Sequence, residues 1–282
     1  MMNRLTALFL ALPLLASSAV KTDLLVSTAW LADHLKDANV RVIYVAAART
    51  GFDANHIPGA QFLALSELAI TKNGVSNEMP EVSDLQTMFQ TLGVSDNTKV
   101  VVYTEGSVLP ATRAFFTLDY LGHDNTALLD GGMEQWTKEN RPVTKEVATV
   151  AAGKLTPKVR PQLIVSTADV QKQVAAPAAN TTLLDVRTTK DFSEGGHIPT
   201  ALNANWGDTL VTGSSVLKSE DALRRLYATA GVDPKKTVVT YCNSGMQATE
   251  AYFTLKYLGY DVKMYDGSLG EWNKTPGTTL AK

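Results

Sequence analysis

Cysteine is almost missing from this sequence: Cys242 is the one thiol in 282 residues. A single cysteine excludes an internal disulfide and any cysteine-rich zinc site. An excess of charge is lacking too, with 26 Lys+Arg against 28 Asp+Glu and a formal net charge of −2. That balance removes the electrostatic footprint of a nucleic-acid binder. Long apolar runs are also missing: the longest lies at the N-terminus and is too short to cross a bilayer. No Gly-rich phosphate loop, His-Glu-x-x-His pattern or clustered metal-ligand spacing occurs, so no cofactor or metal is expected. What is present is 45% apolar and 19% charged residues, enough for packed cores and too apolar for disorder. The length fits two ordinary domains.

The first residues read as an address. Arg4 gives a positive start, Leu5 to Ala16 is apolar apart from Thr6 and Pro13, and the small residues Ser17, Ser18 and Ala19 follow. This is the order of a secretory signal peptide over residues 1–19, which predicts a periplasmic or secreted protein.

The remainder of the chain repeats itself. Val26-Ser27-Thr28-Ala29 recurs as Val165-Ser166-Thr167-Ala168, and His56-Ile57-Pro58 as His197-Ile198-Pro199. Ala111 to Leu118 recurs as Ala248 to Leu255, each followed by Tyr-Leu-Gly, and Asp130-Gly131 through Trp136 matches Asp266-Gly267 through Trp272. Four matches in one order define a duplication with copies at 20–143 and 162–282. Residues 144–161 between them, rich in Ala and Lys without periodicity, read as a linker. The two histidines occur in both copies, which marks them as turn or packing residues. Trp206 has no aromatic counterpart and is a candidate for lining a pocket.

Within each copy short β-branched runs alternate with helical patterns. In the second, Thr182–Val186 and Thr237–Tyr241 read as buried strands, Ser219–Ala230 and Ala248–Leu258 as helices, and Val262–Tyr265 as a further strand. That alternation predicts an α/β fold, twice over, with a parallel sheet covered by helices on both faces. Sites in such folds form at the carboxyl ends of strands.

Cys242 stands at such an end. The loop Cys242-Asn243-Ser244-Gly245-Met246-Gln247 leads into a helix, and its glycine can take the positive φ that turns successive amides toward one point. Amides and helix dipole together would favour a thiolate, the nucleophilic form, and predict a thiol pKa below the ordinary value. Aligned on the helix, the first copy has Glu105 where the second has Cys242, so one copy carries chemistry and the other keeps only the fold. Arg187, in Asp185-Val186-Arg187, ends another strand and could aim its guanidinium at an anion held in the loop; Tyr44-Val45-Ala46 stands there in the first copy.

Taken together, the His-Ile-Pro turns, Asp185-Val186-Arg187, the Tyr241-Cys242 strand end, the six-residue loop and the two Asp-Gly…Trp signatures resemble the tandem-domain rhodaneses, the thiosulfate and 3-mercaptopyruvate sulfurtransferases. The resemblance spans essentially the whole chain after residue 19. It implies two rhodanese-like domains with five-stranded parallel sheets, of which the second is catalytic. It also implies a sulfurtransferase working through a persulfide on Cys242, with Arg187 and the loop residues Asn243, Ser244, Gly245, Met246 and Gln247 contacting the substrate. The implied partners are a small sulfur donor and a cyanide or thiol acceptor, with no nucleic acid, no membrane and a monomeric chain. Ser244 and Gly245 fit the loop pattern of mercaptopyruvate enzymes, whereas Asn243 and Gln247 do not, and the basic residues of thiosulfate enzymes are missing. Thiosulfate and 3-mercaptopyruvate therefore stay open as donors, as does a persulfide carrier without turnover.

Overall fold

The computed structural model describes residues 19–282; the segment read as a signal peptide lies almost wholly outside them. In the first copy, β1 (Leu25–Val26), β2 (Val40–Ala46), β3 (Gln61–Ala64), β6 (Lys99–Tyr103) and β7 (Thr126–Leu129) form a parallel sheet of order β1-β7-β6-β2-β3. Helices α1 (Thr28–His34), α2 (Thr50–Ala54), α3 (Val82–Thr91), α4 (Leu109–Tyr120) and α5 (Gly132–Lys138) connect the strands. Between β3 and α3 the chain makes an antiparallel hairpin of β4 (Ile70–Lys72) and β5 (Val75–Glu78).

The second copy repeats the plan. Its sheet is β11-β10-β8-β9, built from β8 (Thr181–Asp185), β9 (Leu202–Asn203), β10 (Thr237–Tyr241) and β11 (Val262–Met264), all parallel. Around it run α6 (Thr167–Ala175), α7 (Thr189–Gly195), α8 (Glu220–Thr229), α9 (Met246–Tyr257) and α10 (Ser268–Trp272). The expected fifth strand shrinks to one parallel bridge, Ile164 on Met264. A 3-10 turn at Pro161–Leu163 precedes it, and Ser166 caps α6 by accepting from the Asp169 amide. The first copy has the same surroundings, a 3-10 turn at Thr22–Leu24 and the Ser27 cap, and there the two residues of β1 pair at both positions. The sequence also places the start of the last long helix too late. Helix α9 begins at Met246 rather than Ala248, so Gln247 belongs to its first turn.

The repeats pack about a pseudo-twofold axis between α4 and α9, and the side chains show it. Thr112 and Thr249, equivalent by sequence, share a hydroxyl hydrogen bond of 2.9 Å. Phe115 meets Phe253 and Phe116 meets Tyr252, both edge-on at 4.8 Å between ring centres; exchanging the repeats exchanges these two pairs. Both helices are buried nearly all round, which explains why neither shows a clean amphipathic stripe. Burial of four aromatic rings here makes the two domains one packed unit.

The histidines are packing residues, as their presence in both repeats implied. His56 stacks on Phe52 at 3.8 Å and bonds the Phe52 carbonyl, and His197 stacks on Phe192 at 3.7 Å and bonds the Phe192 carbonyl. Trp136 and Trp272 are buried, with their indole N–H groups on the carbonyls of Pro142 and Thr279. Residues 144–161 run along the first domain, tied by Thr144 to His56 and by the Lys158 and Arg160 amides to the carbonyls of Leu121 and Tyr120.

Candidate active site

Cys242 leaves the end of β10 and is 1% exposed. Its own carbonyl accepts from the Leu269 amide at 3.1 Å, and its amide donates to the Ser268 hydroxyl at 3.1 Å. The same hydroxyl accepts from the Gly245 amide at 3.2 Å and donates to the Tyr265 carbonyl at 3.0 Å. Ser268 thus ties the first and fourth residues of the loop to one point. Gly245 holds φ at +84°, and a Cβ there would lie 2.6 Å from Asp266 Oδ1, so only glycine makes this turn.

Within the curl, the amides of Ser244, Gly245, Gln247 and Ala248 act on the Cys242 sulfur in favour of its thiolate. Sequence reasoning expected the donors to come from Asn243 through Gln247. The structure takes three of those residues and adds Ala248, because the helix starts early enough to bring its first-turn amides over the sulfur. Asn243 instead turns its carbonyl to the Gly270 amide at 2.8 Å, and the Met246 carbonyl accepts from the Thr249 hydroxyl at 2.8 Å. Burial pushes the thiol above its ordinary value, and the four amides pull against that push without overcoming it. The expected depressed thiol is therefore corrected: the amides favour the thiolate, but Cys242 is buried, and the cost of removing a thiolate from water outweighs them.

Arg187 does not stand as a free cation. Its Nε and Nη2 grip the Asp185 carboxylate, Nη2 to Oδ2 at 2.6 Å, and Nη2 also donates to the Gly196 carbonyl at 2.7 Å. Only Nη1 turns to the loop, 3.4 Å from Asn243 Oδ1. The residue pair that ends β8 is thus a buried, charge-balanced clamp on the loop's second residue. Trp206, the pocket-lining candidate, does line a cavity, though not one at the cysteine loop. The cavity, of about 420 Å³, is shared with Gly106, Ser107 and Leu210, beside the loop of the first domain.

Several residues at the site were invisible to sequence reasoning because the first domain supplies them. The β4–β5 hairpin lies over the cysteine loop, and Asn77 Nδ2 donates to Ser244 Oγ at 2.9 Å. Arg113, fully buried on α4, crosses the domain boundary to Asp266, with Nη1 to Oδ1 at 2.6 Å, and holds the Asn77 carbonyl at 2.7 Å. Burial, together with the neighbouring Asp266 and Glu271 carboxylates, pushes Glu78 at the hairpin's end up to about 7. Glu78 lines a cleft of about 330 Å³ with Val75, Asp266 and Glu271. One signal for Arg113 was available: within the repeated helix, Ala-Thr-Arg-Ala in the first copy faces Ala-Thr-Glu-Ala in the second, a charge reversal inside an otherwise matched segment.

The first domain's loop shows the same frame without the thiol. Tyr103 and Tyr241 each accept from an isoleucine amide, Ile57 and Ile198, at 3.1 Å. The Met133 amide donates to the Thr104 carbonyl at 3.0 Å as the Leu269 amide does to that of Cys242. These contacts place Thr104, not Glu105, at the position of Cys242. The first loop is one residue longer, so an alignment anchored on the helix slips by one at the strand end.

This architecture has a family. The rhodanese-like domain model matches the chain twice, at residues 27–139 and 166–275, and the chain belongs to that family as a tandem-domain member. It is 32% identical to the sulfur carrier protein TtuD of Thermus thermophilus, over 92% of this chain and 97% of that one. It is 28% identical to the 3-mercaptopyruvate sulfurtransferase of Escherichia coli, over 90% and 96% of the two chains. The crystal structure of SseA from Escherichia coli, described as having the rhodanese fold of 3-mercaptopyruvate sulfotransferases, superposes with a TM-score of 0.78 at 26% identity. That match covers 86% of this chain and 98% of SseA.

Proposed function

We propose that the protein is a sulfurtransferase that carries a sulfane sulfur on Cys242. The observation that carries the reading is the buried Cys242 held between the end of β10 and the start of α9 by a turn at Gly245, because the amides of such a turn stabilise a persulfide anion. The Cys242 thiolate attacks the outer sulfur of thiosulfate; the S–S bond breaks with its electron pair on sulfite, leaving Cys242–S–S⁻. Cyanide or a thiolate then takes the outer sulfur and returns the thiolate, with thiocyanate or a persulfide as product. Neither step needs a general base once the thiol is ionised. Arg187, Asn243, Ser244, Gly245, Met246 and Gln247 shape the donor's surroundings, Arg187 by clamping Asn243 rather than as a bare cation.

The electrostatics favour a second donor alongside thiosulfate. Both arginines near the loop are neutralised, Arg187 by Asp185 and Arg113 by Asp266, and the loop has no charged side chain. A dianion gains little there, whereas a monoanion with a carbonyl, such as 3-mercaptopyruvate, loses less water on entry. The name of the Thermus thermophilus relative also keeps a carrier role in view.

Mass spectrometry after incubation with each donor decides among these. Wild type should gain one sulfur, about 32 Da, and Cys242→Ser none; thiocyanate formation with cyanide separates an enzyme from a carrier. Sulfur transfer by Cys242→Ser would overturn the proposal. Export follows from residues 1–19 and is checked by N-terminal sequencing of the protein from the cell envelope. Loop and covering hairpin come from one chain, so a monomer suffices, and light scattering tests that.

A further inference from the structure

The two Asp-Gly turns, Asp266 to Trp272 and Asp130 to Trp136, share the bond that holds the strand-end carbonyl, from the Leu269 and Met133 amides, and one of the positions where they differ bears on the anion. Gly270 in the catalytic domain corresponds to Glu134 in the first. The Gly270 amide donates to the Asn243 carbonyl at 2.8 Å, and a Cβ there would meet that carbonyl oxygen at 3.2 Å and Val75 Cγ1 at 3.9 Å. A small side chain fits with slight movement, and anything longer would extend beside the loop. In the first domain the side chain is present, and its carboxylate accepts the hydrogen bond of the Gly106 amide. Counted from the strand end, Gly106 stands two residues after Thr104 as Ser244 stands two after Cys242, and the Ser244 amide is one of the donors aimed at the sulfur. The first domain's loop is thus filled by the chain's own anion.

We propose that Gly270 is a specificity-determining residue: with no side chain there, no carboxylate of the chain's own takes the place of an anionic donor at the cysteine loop, whereas Glu134 at the equivalent position occupies the other loop. This rests on reading the Cys242 loop as the sulfur-donor site. The second domain also contributes to the closed loop, since Ser215 Oγ donates to the Gly106 carbonyl at 2.7 Å, as Asn77 reaches Ser244 on the open one. The pseudo-symmetric cover is therefore common to both, and the residue at 134 or 270 decides whether the chain's own carboxylate reaches the loop.

Alkylation of Cys242 by iodoacetate, an anion, against iodoacetamide, its neutral analogue, tests this without turnover. Gly270→Glu should lower the iodoacetate rate about tenfold relative to iodoacetamide, while Gly270→Ala and Gly270→Gln keep that ratio within about twofold of wild type. An unchanged ratio in Gly270→Glu, or an equal loss in Gly270→Gln, overturns the assignment. Should Gly270→Glu not fold, the reciprocal variant carries the test in the Cys242→Ser protein. There Glu134→Ala should produce a saturable shift of the Gly106 amide resonance on titration with thiosulfate, and no such shift overturns the proposal. A wild type that shows the alkylation pattern but gains no sulfur would overturn the donor reading and leave the role of Gly270 as an anion gate standing.

Discussion

Removing the Arg113 guanidinium should damage both the stability and the chemistry of this protein. Arg113 and Asp266 are 0% and 5% exposed at their side chains and form a two-pronged pair, Nη1 to Oδ1 at 2.6 Å and Nη2 to Oδ2 at 3.2 Å. In Arg113→Ala the Asp266 carboxylate stays buried without its partner, and the Asn77 carbonyl loses a 2.7 Å donor. Breaking one side of such a pair costs about 3–5 kcal/mol. At a chain of this size, roughly 2–4 °C of melting temperature per kcal/mol makes that a fall on the order of 10 °C. The double variant Arg113→Met, Asp266→Asn buries no charge and should regain at least about 1 kcal/mol over the single one. Urea denaturation followed by tryptophan fluorescence measures both. Because Arg113 also anchors the hairpin that reaches Ser244, sulfur loading of the folded single variant should slow. A loss under about 1 kcal/mol, or a double variant no more stable than the single, would refute the view that this pair fastens the active loop to the first domain.

The buried thiol sets a second expectation. Because burial raises the Cys242 pKa, its alkylation rate should still climb with pH beyond the ordinary thiol midpoint of about 8.5; a plateau below that value would show that the amides outweigh burial. Glu250 gives a third. It is fully buried, accepts from Thr209 and Thr254 through Oε1 alone, and burial pushes it up to about 7. The folded state then holds a proton that the unfolded chain releases near pH 4.5, so stability is greatest below that pH and declines as pH rises through about 7. The decline attributable to this group is roughly 2–4 kcal/mol, and Glu250→Gln should flatten it in melts taken across that window.

Much of this protein is written in local order along the chain. The duplication, the strand-and-helix alternation and the position of Cys242 between a strand and a glycine-bearing turn follow from periodicity and turn chemistry, which act over a few residues. The family's motifs and the inert packing of His56 and His197 were legible for the same reason. Tertiary structure alone decided the rest. The loop in the first copy is one residue longer, so aligning the strands puts Thr104 opposite Cys242 and aligning the helices puts Glu105 there; the hydrogen bonds at the strand end decide for Thr104. The state of the thiol depends on how much water burial removes, and the hairpin at 70–78 that reaches its loop through Asn77 arrives from the other domain. An Arg187 pairing with the nearby Asp185 or Asp191 was as readable in the sequence as an anion contact, and the fold decided for Asp185, which takes Nε and Nη2. Charges and solvent exclusion act through space between segments more than a hundred residues apart, as Arg113 and Asp266 do across 153 positions, and no pattern read along a single stretch of chain contains that distance.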